Sequence, residues 1–182
     1  MKLRSLLLVT ALAGWFASAH GETLAPEIQA KIDGRIAAIV AWAADPVIVD
    51  AVRAQNASTP ADYAAMSQEK WRSLTVLDPF VRSFSKNAAG QFLKSKRDDI
   101  VTEAFLSAAN GWKVACIAKP TNWSHKGKEK HDVPMTGKTW QGPVELDESS
   151  GQQQIQIAVP VLDGGKPIGS LVVGLSLSKI KS

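Results

Sequence analysis

One hairpin limits the fold more than any other feature of this chain. Gln154, Gln156 and Ala158 alternate with Ile155, Ile157 and Val159, Asp163-Gly164-Gly165 follows, and an apolar run from Ile168 to Leu177 returns. A two-residue period sends successive side chains to opposite faces, which is a strand and not a helix. The Asp-Gly-Gly segment reverses the chain, so the two runs pair antiparallel. Upstream the same signature recurs. Ile100 to Ser107 is rich in β-branched and aromatic residues, Asn110-Gly111 is a strong turn, and Trp112 to Lys119 forms the returning strand. With Pro143 to Leu146 as a short edge piece, five strands joined mostly by hairpins predict one antiparallel sheet.

The first half of the chain has the other period. Pro26 opens a helix, and Ile28, Ile32, Ile36, Ile39 and Val40 recur at three- and four-residue steps up to Ala43. Asp45-Pro46 repeats the start signal before Val49 and Val52, Thr59-Pro60 before Tyr63, Met66 and Trp71, and Asp78-Pro79 before Val81, Phe84 and Phe92. Gly90 is read as a soft stop. Trp42 and Trp71 lie on helix stripes and are assigned to the core. The expected class is α+β, helical over about 24–98 and stranded over about 100–178.

Composition narrows the compartment and the partners. The chain has 182 residues, 45% hydrophobic and 21% charged, enough for one domain with a real core. Met1-Lys2-Leu3-Arg4, an apolar run from Ser5 to Phe16 and Ala17-Ser18-Ala19 make a secretory signal peptide over residues 1–19. The mature chain is expected to begin near His20 as one soluble, periplasmic or secreted domain over 20–182. No cysteine follows the cleavage site to carry a lipid, and no second segment approaches the ~20 apolar residues of a membrane span. Losing Lys2 and Arg4 from 21 basic residues leaves 19 against 17 acids, a charge of +2. So small an excess gives no support for a nucleic-acid partner. The single cysteine, Cys116, excludes an internal disulfide and sits among apolar neighbours as an inert thiol.

Between the two hairpins lies one long connection, Lys119 to Trp140, with five lysines, two histidines, two tryptophans and two acids. Loops of this length in a compact domain carry function or move. Tryptophans in so charged a segment need a wall or a ligand to lie against.

The order and spacing of "AFLSAANGWKVACIAKPTNW" and "IQIAVPVLDGGKPIGSLVVGL" resemble the extracytoplasmic PAS-like sensor family called Cache or PDC domains. The likeness covers about residues 100–178, and the helix from Pro26 fits the family's long N-terminal helix. The resemblance implies a PAS-like five-stranded sheet with the long loop arching over one face, enclosing a pocket for organic acids or amino acids. This sequence departs from the usual receptor in having no second membrane segment, kinase or methyl-accepting module, so any signal is expected to pass through a partner such as a membrane sensor.

On that reading the ligand, expected to be anionic, meets groups from the loop and the facing hairpin. A carboxylate leaving water needs a fixed cation or convergent N–H donors. Lys119 and His125 offer charge, Trp123 and Trp140 offer walls and an indole donor, and Asn122 and Gln156 offer amides. The residues leave two readings of Trp123, ligand wall and plain packing. Lys126, Lys128 and Lys130 read as a solvated face, and Trp112 as core cover.

Enzyme readings fail for want of a Gly-x-Ser-x-Gly elbow, a His-Glu-x-x-His pair or a phosphate-cradling glycine loop. His125 and His131 with Asp132 match no common zinc spacing, so neither a metal nor any other cofactor is expected. A free N-terminal His20 would resemble the copper brace of lytic polysaccharide monooxygenases, but the following segment reads as helix. A last alternative is a ligand-free module that docks on a membrane sensor.

Overall fold

The computed structural model describes residues 24–146 and 151–182. The expected signal peptide, the start near His20 and the copper-brace alternative lie outside the described residues. Helices come first: α1 (Pro26–Ala43), α2 (Pro46–Ala57), α3 (Ala61–Ala64), α4 (Gln68–Ser73), α5 (Pro79–Lys86) and α6 (Ala88–Ser95). Then β1 (Val101–Ala108) and β2 (Lys113–Cys116) form the first hairpin, and the long connection carries α7 (Glu129–Asp132). β3 (Trp140–Leu146), β4 (Gln153–Asp163) and β5 (Lys166–Ser176) complete the sheet, and α8 (Leu177–Lys181) follows.

Local chemistry explains these boundaries. Asp45 and Asp78 cap α2 and α5 by accepting from the amides of Val47 and Phe80 at 2.9 and 2.8 Å, each with a proline in the first turn. The helix expected to run on from Pro79 through Phe92 is instead two. Asn87 ends α5 and caps α6 by accepting from the amide of Gly90 at 2.8 Å. Gly90 is therefore not a stop. It lies inside α6, where a Cβ would collide with the carbonyl oxygen of Phe84, so only glycine allows the corner. The helix expected after Thr59-Pro60 is likewise divided, into α3 and α4, with Ser67 capping the second.

All neighbours in the sheet are antiparallel, in the order β2-β1-β5-β4-β3. Strand alternation gives the sheet two working faces. Ile155, Ile157, Val159, Leu171, Val173 and Leu106 meet Ile32 and Ile39 of α1 and Ile48 and Val52 of α2, all fully buried or nearly so. Each such side chain contributes about 1.5–3 kcal/mol of transfer free energy, so this seam holds the helical layer to the sheet. The opposite face carries Phe105, Cys116, Ala158 and Val172, which pack with Met66, Trp71, Val81, Phe84 and Trp123 in a second core. Cys116 is buried, and burial pushes its thiol up to about 11.

Two boundaries differ from expectation in ways that matter for the site. β2 is four residues long, because the chain leaves the sheet after Cys116 to begin the loop. β3 begins at Trp140, which pairs with Ala158 of β4. The loop is also partly ordered by its own turns, α7 and a 3-10 turn over Pro134–Thr136.

Candidate functional site

The second face of the sheet is only half covered by aromatic residues. Beyond them a cavity of about 590 Å³ opens between the first part of the loop and the polar ends of β1 and β4. Register decides which side chains meet there. Gln156 of β4 stands opposite Gly174 of β5, and Gly174 opposite Glu103 of β1. A Cβ at position 174 would lie 2.5 Å from Thr102 Oγ1, 2.7 Å from Glu103 Cγ and 2.9 Å from Gln154 Oε1. The glycine thus lets polar side chains from β1 and β4 touch across the strand between them.

They form a continuous hydrogen-bonded chain. Thr102 Oγ1 donates to Gln154 Oε1 at 2.7 Å, and Gln154 Nε2 donates to Glu103 Oε1 at 3.3 Å. Gln156 Nε2 donates to the same carboxylate oxygen at 2.5 Å, and Lys130 Nζ donates to Gln156 Oε1. All five residues line the cavity. Lys119 and Asn122 border it from the loop. The Lys119 ammonium stands 4.9 Å above the Trp71 ring, and partial burial lowers its pKa. The cavity is therefore bordered by two cations, Lys119 and Lys130, and by a braced carboxylate, Glu103.

His125 also lines the cavity, and its position is fixed on three sides. Its ring stacks on Phe105, centroids 4.5 Å apart and planes at 14°. Its amide donates to the Gly111 carbonyl at 2.9 Å, and its Nδ1 is hydrogen-bonded to Lys113 Nζ. Gly111 has φ +81°, and a Cβ there would collide with the Lys126 amide nitrogen. The Asn-Gly turn is thus both the hairpin reversal and the seat of the loop. Burial, with Lys113 and Lys130 nearby, holds the His125 imidazole far below its usual range, so it is neutral. The expectation that His125 supplies charge is corrected: it supplies a neutral ring.

The tryptophans also change roles. Trp123 is 3% exposed and lies off the cavity wall, among Tyr63, Trp71, Phe80 and Phe84 with centroids 5.3–5.8 Å away. Of the two sequence readings, plain packing describes it. Its buried Nε1–H has no hydrogen-bond partner among the described residues. Trp140 is half-buried on β3, packed against the same aromatic core and over Gly142, and is not a cavity wall either. Burying two large rings against a half-covered sheet face is what the charged loop needs in order to dock.

Of the six predicted site residues, Lys119, Asn122, His125 and Gln156 come together around the cavity, and Trp123 and Trp140 do not. Sequence reasoning missed Thr102, Glu103, Lys130 and Gln154. The solvated face expected for Lys126, Lys128 and Lys130 holds for two of them only: α7 turns Lys130 inward, while the others stay exposed. For Gln154 the available signal is the alternation of β4, which puts it on the same face as Gln156. No group of three or more histidines, cysteines or carboxylates fit to hold a metal occurs among the described residues.

The sequence matches no family model and no curated protein. Its structure is similar to several solved sensory domains. The sensor domain of the V. cholerae histidine kinase DctB superposes with a TM-score of 0.50 at 18% identity, covering 85% of this chain and 52% of that one. The ligand-binding domain of the Pseudomonas aeruginosa chemoreceptor PctC in complex with GABA gives 0.48 at 13%, covering 84% and 56%. That of the Pseudomonas fluorescens chemoreceptor CtaA in complex with L-serine gives 0.46 at 19%, covering 85% and 55%. The chain spans about half the length of these domains. The fold is similar to that of the DctB sensor domain, an α+β architecture built on a PAS-like five-stranded antiparallel sheet, as the resemblance to Cache or PDC domains implied. No helix among the described residues is long and apolar enough to cross a membrane.

Proposed function

We propose that this protein is an exported, non-enzymatic sensor domain, single over residues 20–182, that binds a small organic acid or amino acid beneath the Lys119–Trp140 loop. One observation carries the reading: a cavity of about 590 Å³ is bordered by Lys119, Lys130, Glu145 and a Glu103 carboxylate braced by two glutamine amides. A desolvated carboxylate gains most from fixed cations and oriented donors, and Asn122 and the His125 ring add uncharged partners. Glu103 suits a ligand that also carries an ammonium group, which favours amino acids over simple acids. Any signal passes through a partner protein, for which a membrane sensor is the natural candidate. The open cavity supports this reading over a ligand-free docking module.

A thermal-shift screen of the mature protein against amino acids, organic acids and divalent metals tests it. A ligand at 100 times its Kd should add about 2.7 kcal/mol of stability, a clear rise in Tm. No response across amino and organic acids would count against the proposal.

A further inference from the structure

Lys113 is the one lysine in the buried interior of the described structure, with no solvent exposure at all. Nothing in the function proposed above uses it, since it does not line the cavity. It sits on β2 opposite Ser107 of β1, and its ammonium lies 5.1 Å from the centre of the Phe105 ring. It is hydrogen-bonded to Nδ1 of His125, the ring that stacks on Phe105 and reaches the cavity.

A buried cation beside a neutral imidazole has a directional consequence. An ammonium has three donors and no lone pair, so it can only donate. A neutral imidazole that accepts at Nδ1 must carry its proton on Nε2. In His125 the backbone amide is bonded to Gly111 and Nδ1 to Lys113, which leaves Nε2 as the ring nitrogen available to the cavity. We propose that Lys113 is a positioning residue for the cavity, fixing His125 as the Nε2–H tautomer so that the ring offers a donor to the carboxylate of a ligand. The inference rests on the ligand-binding reading above and assigns its anion subsite a part that does not touch the ligand.

Charged and titratable groups around the pair are Glu103 on β1, Cys116 on β2, and Lys128, Lys130 and His131 on the loop. Burial lowers the pKa of Lys113 to about 7. Below that pH the lysine must donate; above it the free amine can also accept, and the tautomer is released. The donor is therefore best defined at mildly acidic pH, where burial still keeps His125 itself neutral.

Nitrogen-15 NMR of the histidine rings tests this on the free protein first, with assignments from His125→Gln and His131→Gln. At about pH 6 the wild-type His125 should show a protonated Nε2 and a bare Nδ1. Acetate, used as a bare carboxylate probe, should move the Nε2–H resonance, and methylammonium should not. Lys113→Met, which replaces a buried charge by an apolar chain of similar length, should release the tautomer and weaken the acetate response roughly tenfold or more. An Nδ1–H tautomer in the wild type overturns the inference, and does so before any ligand is added. So does a Lys113→Met protein that folds and keeps both tautomer and acetate response. If the tautomer is as expected but neither acetate nor any compound of the thermal-shift screen binds, the ligand-binding reading fails and takes the anion subsite with it.

Discussion

The indole Nε1–H of Trp71 donates to the backbone carbonyl of Pro120 at 2.8 Å, tying the interior of α4 to the first turn of the long loop. Gln68, one turn earlier, adds two bonds in the same direction: its Nε2 donates to Thr121 O at 3.0 Å and its Oε1 accepts from the Trp123 amide at 2.9 Å. A six-residue helix thus holds the loop's beginning against the sheet. Trp71→Phe keeps most of the ring volume but orphans the Pro120 carbonyl. It should cost about 1–3 kcal/mol by urea denaturation and loosen amide exchange over residues 120–123.

Trp123 should behave as core. Trp123→Ala is expected to destabilise the fold by about 3–5 kcal/mol, because it empties the centre of the aromatic cluster. Trp123→Phe should cost markedly less, since the N–H it removes is buried without a partner among the described residues. Equal losses from the two variants would mean that the indole N–H has an important partner after all.

Gly111 and Gly164 both have positive φ, +81° and +55°, but only one has a neighbour in the way. At Gly164 nothing lies within 4 Å of an added Cβ, so Gly164→Ala should cost only the conformational penalty of about 1–2 kcal/mol. Gly111→Ala adds a collision with the Lys126 backbone and should cost clearly more. It should also displace His125, visible as a shift of its ring resonances.

Two lysines of the loop's centre should separate. Lys130→Ala is expected to weaken binding of a carboxylate ligand about tenfold, because its ammonium is fixed on Gln156 at the cavity. Lys128→Ala should change affinity less than about twofold at physiological salt, since an exposed charge is screened. Calorimetry with a ligand from the thermal-shift screen decides it. Equal effects would place the anion subsite elsewhere.

Stability should rise with pH between about 5 and 8. His125 and His131 are both held below the ordinary imidazole range, mainly by burial, so both stay neutral in the folded protein while the unfolded chain takes up protons below about 6.5. The unfolded state then binds more protons, and stability falls as pH drops through that range. Lys113, lowered to about 7, acts in the same direction at higher pH: its unfolded form is already protonated below about 10, its folded form only below about 7. Unfolding free energies from urea denaturation at about pH 5 and pH 8 should differ by roughly 1–4 kcal/mol in the wild type, and by less in His131→Gln. His131 Nδ1 lies 2.7 Å from Ser170 Oγ, a hydroxyl that can donate to the neutral ring or accept from a protonated one, so burial and not this bond opposes protonation.

Local signals along the chain were enough to mark most elements and both hairpins, but not the divisions at Asn87 and Ser67 or the pairing of β1 with β5. Helical stripes, proline-opened first turns, the alternation in β4 and the two glycine turns are each written within a few consecutive residues, and they placed α1, the hairpins and the antiparallel sheet. They also marked the loop, and within it Lys119, Asn122 and His125, because charge and length are visible without contacts. What faces what was settled only in three dimensions. Glu103 meets Gln156 because strand register sets both opposite Gly174, and no spacing along the chain records a relation across three strands. Lys130 turns inward and Trp123 fills an aromatic core because α3, α4 and α5 leave part of the sheet bare, which is a property of how the layers meet. Lys113 looks like any strand lysine until β2 places it under the loop, where burial and one histidine nitrogen determine its chemistry.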